Sequence, residues 1–167
     1  MITATINLKW AMAHRLAPPY LGPCSSIHGH NYRAEVEVRA PLRKKSKEGH
    51  ERDYEFDPDT GMVVDFSTLK KEYQGWIDGN LDHALAIAFG DTGLHDLVIP
   101  WRNRKDSPFT KLFLAAPDVG QMTAESLVQL LHPVFQNASI VLDKNIQVVR
   151  VRVYETDTAW AEWRLER

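Results

Sequence analysis

The sequence predicts an α+β protein, an antiparallel sheet carrying two helices on one face, in the order β-β-α-α-β-β. Three observations lead there. Residues 2–14 and 28–40 alternate apolar with polar side chains, the period of a half-buried strand. Two later stretches, entered at Asp65 or Ser67 and at Thr123, carry apolar residues at helical spacing instead. Alternation then returns near the end of the chain, and nothing repeats at a solenoid period. With 167 residues, 44% hydrophobic and 25% charged, one domain over 1–167 with an ordinary core is expected.

The first strand sets Ile2, Ala4, Ile6, Leu8, Trp10 and Met12 on one side and Thr3, Thr5, Asn7 and Lys9 on the other. Continuing the count puts His14 on the apolar side, where an imidazole needs a polar partner or a metal. A Pro/Gly loop, Ala17 to Pro23, follows. In the second strand His28, His30, Tyr32, Ala34, Val36 and Val38 share the apolar face. Residues 41–60 mix charges of both signs and end in the turn sequence Asp57-Pro-Asp-Thr-Gly61, which reads as a solvated hairpin connection. The first helix presents Leu69, Tyr73, Trp76 and Ile77 and stops at Gly79-Asn80. Residues 84–120 give a mixed signal, an apolar hexamer followed by scattered Gly and Pro, and read as a long, partly ordered insertion. Thr123 caps a second helix with Leu127, Leu130, Leu131, Val134 and Phe135 as its stripe, interrupted near its end by Pro133. Val149, Val151 and Val153 then alternate with Arg150, Arg152 and Tyr154, and residues 159–165 close a second hairpin.

Composition excludes several function classes. A net charge of -2 provides no field for non-specific nucleic-acid or membrane binding. No apolar run approaches the roughly 18 residues of a membrane span. The only cysteine, Cys24, cannot form an intrachain disulfide, which points away from a secreted, cross-linked scaffold. Residues 1–10 lack the basic segment and apolar block of a secretory leader. The expectation is a cytoplasmic protein.

Chemistry gathers around Cys24-Ser-Ser-Ile-His28-Gly-His30. On a strand, His28 and His30 share a face, and antiparallel pairing brings His14 beside them. Three imidazoles with no fourth protein ligand describe a catalytic zinc site with one open position; the alternative is a set of satisfied core histidines. Cys24 is either a small buried hydrophobe or a thiolate base next to the metal. Asp82-His83 is either a loop dipeptide or an acid/base pair. Glu155 falls on the valine face of its strand, where a carboxylate serves a ligand bearing two N–H donors or a buried arginine. His50, His95 and His132 have no such company and read as structural or surface residues.

Ala13-His14-Arg15-Leu16, Cys24-x3-His28-Gly-His30-Asn-Tyr32, Gly61-Met-Val-Val-Asp-Phe66, Leu81-Asp-His83, Thr123-Ala-Glu125 and Val153-Tyr-Glu155-Thr156 stand in one order from end to end of the chain. On these pieces the chain resembles the 6-pyruvoyltetrahydropterin synthase and 6-carboxytetrahydropterin synthase superfamily. The resemblance implies the tunnelling fold (T-fold), with His14, His28 and His30 as ligands of Zn2+ and Cys24, Asp82 and His83 as catalytic residues. It implies Glu155 as the pterin anchor, with Thr123 and Arg15 as further substrate-binding residues. It also implies 7,8-dihydroneopterin triphosphate as substrate and a homo-oligomer, a hexamer or another ring assembly, with active sites between subunits. Among the cations of this sequence, Arg15, Arg102, Arg104, Lys105 and Lys111 are the ones expected to meet a triphosphate. In the pyruvoyl-forming branch the cysteine stands further from the histidine pair; here Cys24 stands four residues before His28. That spacing implies the branch that cleaves the side chain to a 6-carboxyl group, releasing acetaldehyde and triphosphate, in the queuosine (7-deazaguanine) pathway. The alternatives are a pyruvoyl-forming synthase and a non-catalytic pterin- or metal-binding member.

Overall fold

A computed structural model describes residues 2–40, 43–47, 50–143 and 145–166, and side chains outside 43–52. The first strand, β1 (Ala4–His14), alternates buried and exposed residues along its length, as its sequence requires. It pairs antiparallel with β2 (His28–Arg39) from Ala4↔Val38 to His14↔His28. Next come a two-stranded sheet of β3 (Arg43–Lys47) and β4 (His50–Tyr54), α1 (Phe66–Asn80), β5 (Ala84–Ile87), α2 (Thr92–Val98), β6 (Lys111–Leu114), α3 (Ala124–Leu142), β7 (Gln147–Tyr154) and β8 (Trp160–Arg164). Among the described residues, the main sheet has six strands in the order β6-β5-β1-β2-β7-β8. Of the charged 41–60 connection, residues 41, 42, 48 and 49 lie outside the described residues, as does the side chain of His50.

Burial follows from the pattern. The even residues of β1, with Tyr32, Ala34, Val36 and Val38 of β2 and Val148, Val151 and Val153 of β7, form one wall of the core. Leu69, Tyr73 and Ile77 of α1 and Leu127, Leu131 and Phe135 of α3 form the other, so both helices cover one face. Each helix is started by its sequence: Asp65 accepts from the N–H groups of Ser67 and Thr68, and Thr123 from that of Ser126. Closing the Asp57–Gly61 turn, Gly61 takes φ +73°, a conformation an L side chain resists. Among the described residues, no helix is long and apolar enough to cross a membrane.

Two expectations need correction. The sheet is mixed, because β5 runs parallel to both β1 and β6. The first four residues of the apolar hexamer, Ala84–Ile87, are that strand, buried on both faces: Ala84 and Ala86 join the main core, while Leu85 and Ile87 pack with Leu94 and Val98 of α2. A strand covered on both sides has no reason to alternate, which is why it resembled no strand in sequence. The segment after Leu81 therefore contributes β5, α2 and β6 to the element order. The second correction is α3, which runs through Pro133 to Leu142. Pro133 and Gln129, whose carbonyl loses its partner, both lie on the exposed side, where the carbonyl is open to solvent and the lost bond costs least.

Arg15 and Asp91 lock α2 to β1. Asp91, 3% exposed, accepts from Arg15 Nε at 2.7 Å and Nη2 at 2.5 Å and also caps α2 at the Leu94 N–H. The hydrogen bond to Arg15 is the main reason the Asp91 carboxyl sits below its ordinary value. A lowered carboxyl contributes stability above its unfolded pKa, about 4, that disappears as pH falls through the folded value. Asp91→Asn is expected to cost about 2–3 kcal/mol at pH 7, the cost of orphaning one partner of a buried pair, reduced because Arg15 is partly solvated. Denaturant titrations should show wild type and variant converging below pH 4; a constant gap would contradict the assignment.

Candidate metal centre

Strand register assembles the site. His14 lies opposite His28, and Met12 lies opposite His30, so the three imidazoles occupy the end of one sheet face. Their ring centroids are 4.6, 4.9 and 5.4 Å apart, and one nitrogen from each lies within 4.8 Å of the others. Bonds of about 2.0–2.1 Å hold two ligand atoms no more than about 4 Å apart, so the rings must draw together around an ion.

Protonation and hydrogen bonding favour that use. His28 Nδ1 lies 2.9 Å from the Ser26 carbonyl, which fixes it as the N–H and leaves Nε2 as a lone pair. That Nε2 is buried and has no partner. An unmet buried polar atom costs about 1–3 kcal/mol, a cost that a metal bond would remove. His14 is 1% exposed, and its pKa falls to about 4, first through burial and then through His28 and His30. The backbone of Met122 pulls the other way without closing a hydrogen bond to Nδ1. A donor set of three imidazoles, with the buried His14 held neutral, suits a borderline-soft divalent ion.

Glu155 stands just past the end of β7, and its carboxylate reaches the same cluster. Its Oε1 accepts from the Tyr32 hydroxyl at 3.3 Å and lies 3.5 Å from His14 Nε2 and 3.8 Å from His30 Nε2. Among the described residues, it meets no arginine. Tyr32, two residues beyond His30 on the same face, stacks on Trp10 with 5.2 Å between centroids. Its phenol is pushed above the ordinary range by burial first, then by the negative charge of Glu155. Cys24 adds to that push.

Cys24 lies in a short 3-10 turn, Pro23–Ser25, half-buried, with its carbonyl accepting from Leu16 N–H at 2.8 Å. Gln121 clamps the preceding loop by bonding both backbone groups of Ala17. Asp82 and His83 form a dyad: Asp82 Oδ2 accepts from His83 Nδ1 at 2.8 Å, and Asp82 Oδ1 accepts from the Ala11 N–H at 2.9 Å. His83 adopts φ 58°, which lets neighbouring side chains meet. Among the described residues, no hydrogen bond or ring contact joins this dyad to Cys24 or to the three histidines.

Arg15, Thr123 and Lys111, also expected at the site, have structural partners. Arg15 is held by Asp91, Thr123 caps α3, and Lys111 Nζ donates to the carbonyls of Asp78 and Asp82. His132 stacks on Trp163 and His95 pairs with Asp96. Ser26, Gln121 and Asp91 were assigned no role from sequence, and Tyr32 entered there only as a strand and motif residue. Only Tyr32 carried a signal, its place two residues past His30.

A search of solved structures finds an uncharacterised protein of Wolinella succinogenes at TM-score 0.73, with 19% identity over 99% of this chain and 98% of that one. It also finds the 6-pyruvoyl tetrahydropterin synthase of Caenorhabditis elegans at TM-score 0.58, with 19% identity over 99% and 96%. In sequence, the 6-carboxy-5,6,7,8-tetrahydropterin synthase of Rickettsia typhi is 24% identical over 97% of this chain and 99% of its own length. The family model of 6-pyruvoyl tetrahydropterin synthase matches residues 3–166. With the tunnelling fold and nearly the whole chain accounted for, the protein belongs to the 6-pyruvoyl tetrahydropterin synthase family.

Proposed function

We propose that the protein is a zinc-dependent 6-carboxytetrahydropterin synthase. It converts 7,8-dihydroneopterin triphosphate and one water to 6-carboxy-5,6,7,8-tetrahydropterin with release of acetaldehyde and triphosphate, in the cytoplasm, toward queuosine and other 7-deazaguanine products. The observation that carries the reading is the cluster of His14, His28 and His30 with a buried, unpartnered Nε2 beside the Glu155 carboxylate. The relative of that name and the four-residue spacing from Cys24 to His28 support the carboxyl-forming branch.

Zinc held by the three imidazoles supplies Lewis-acid polarisation of the substrate's side-chain hydroxyls. Glu155 offers two acceptor oxygens to the amine and ring N–H of the pterin and so sets which part of the side chain lies near the histidines. Cys24, as thiolate, takes a proton from that side chain. Asp82 holds the proton of His83 on Nδ1, leaving Nε2 to accept or return one. Within one chain the dyad has no bond to Cys24, so a homo-oligomer that sets the dyad of one copy beside the cysteine of the next completes the machinery; a hexamer or another ring meets that need.

Zinc-loaded protein supplied with 7,8-dihydroneopterin triphosphate is expected to yield acetaldehyde and a 6-carboxypterin by mass spectrometry. A 6-pyruvoyl product would move the protein to the other branch. Binding without turnover would make it a non-catalytic member.

A further inference from the structure

Tyr32 is 1% exposed, and its ring lies nearly parallel to that of Trp10, the residue opposite it on β1. We propose that Tyr32 is a positioning residue of the metal centre: its hydroxyl fixes the Glu155 carboxylate for substrate, and a metal on His14 commits it to that bond. The assignment rests on the metal and pterin roles proposed above.

A hydroxyl buried this deeply has no water to turn to, and a ring held in a stack cannot swing out to find one, so its single proton goes to a protein acceptor. Among the described residues two are in reach. Glu155 Oε1 lies 3.3 Å away and His14 Nε2 3.4 Å away. Both distances exceed the range of about 2.5–3.0 Å that a hydroxyl donor makes to oxygen, so neither acceptor takes the proton outright.

A metal breaks the tie. His14 presents Nε2 to Tyr32 and to Glu155 alike, and an ion bound there uses the lone pair that the hydroxyl would otherwise meet. Glu155 is then the remaining acceptor. The backbone of Glu155 is already held, its N–H donating to the Ala159 carbonyl at 3.1 Å, so the direction of the carboxylate is what Tyr32 sets.

That direction matters because Glu155 has two uses. Its Oε1 stands 3.5 and 3.8 Å from the Nε2 atoms of His14 and His30, within the roughly 4 Å that separates two ligands of one zinc ion. The carboxylate can therefore close the fourth position that the reaction needs open. A proton donated to Oε1 takes up one of its lone pairs and weakens it as a ligand, which keeps the carboxylate for the N–H donors of a pterin edge.

Calorimetric titration with 7,8-dihydropterin, a ring without a side chain to reach the ion, reads the anchor without turnover. In zinc-loaded protein, Tyr32→Phe keeps the stack on Trp10 and is expected to raise Kd about tenfold, the effect of removing a partner one step from the ion. In zinc-free protein the same substitution should raise Kd no more than about twofold, because the proton is then shared. An unchanged Kd in the loaded variant, or an equal rise with and without zinc, would overturn the proposal. Tyr73→Phe removes another buried hydroxyl, one bonded to Ser139 in the core; it should lower the melting temperature and leave Kd within about twofold. A rise matching that of Tyr32→Phe would make the effect one of packing alone. If the pterin reading is itself wrong, wild type binds no dihydropterin, and zinc affinity by chelator competition decides the pairing. Glu155→Ala leaves His14 Nε2 as the acceptor nearest the Tyr32 hydroxyl and should weaken zinc. Adding Tyr32→Phe removes the competing proton and should recover affinity about fivefold. No recovery, or a further loss, would contradict the proposal.

Discussion

His28→Ala is expected to leave a folded protein whose zinc affinity has fallen at least 100-fold. Loss of a residue that merely orients a ligand costs about 10–100-fold, and a direct ligand costs more. Fold is retained because His28 sits at the start of β2, and its Nε2 has no protein partner to orphan. Without metal, the variant should melt no lower than wild type, since the change removes a buried unpaired polar atom. Elemental analysis after dialysis checks the first expectation and calorimetry the second. A full zinc complement in the variant would remove His28 from the ligand set.

Cys24→Ala is expected to keep its zinc and lose turnover by about 10²–10⁴-fold, the range for removing a positioned acid or base. The bond that anchors this turn runs through the Cys24 carbonyl to Leu16 and survives the substitution. Zinc content and melting temperature should therefore match wild type while product formation collapses. Near-normal rates would take the thiol out of the mechanism.

Much of the fold was legible because β1 and β2 each bury one face. Period-two alternation is the direct consequence, and counting even positions from Ala4 to His14 was enough to bring His14 beside His28 and His30. Helix caps at Asp65 and Thr123 were legible for the same local reason: short polar side chains that reach nearby N–H groups precede apolar stripes. β5 failed because it is covered on both sides, and its run of apolar residues fits a strand or a short helix equally well. Pro133 misled because its effect depends on which way the orphaned carbonyl faces, a tertiary fact.

The site divides along the same line. His28 and His30 are near neighbours in the chain, and a strand alone puts them on one face. The approach of Asp82 to His83 instead depends on a left-handed backbone at His83 and on the anchoring of Asp82 to Ala11, neither of which leaves a pattern in sequence. Glu155 was placed on the valine face by counting; its closeness to His14 needed the turn between β7 and β8. The pairing of Arg15 with Asp91 joins residues far apart in the chain, so no local rule could show it.

The central claim is that three histidines hold a zinc ion while Cys24 stays free for proton transfer. X-ray absorption at the zinc edge of the purified protein tests it most directly. The expected spectrum shows three imidazole nitrogens at about 2.0–2.1 Å, lighter scatterers completing the shell, and no sulfur. A sulfur scatterer at about 2.3 Å would make Cys24 a ligand instead of a base, and a zinc environment without imidazole would contradict the site altogether.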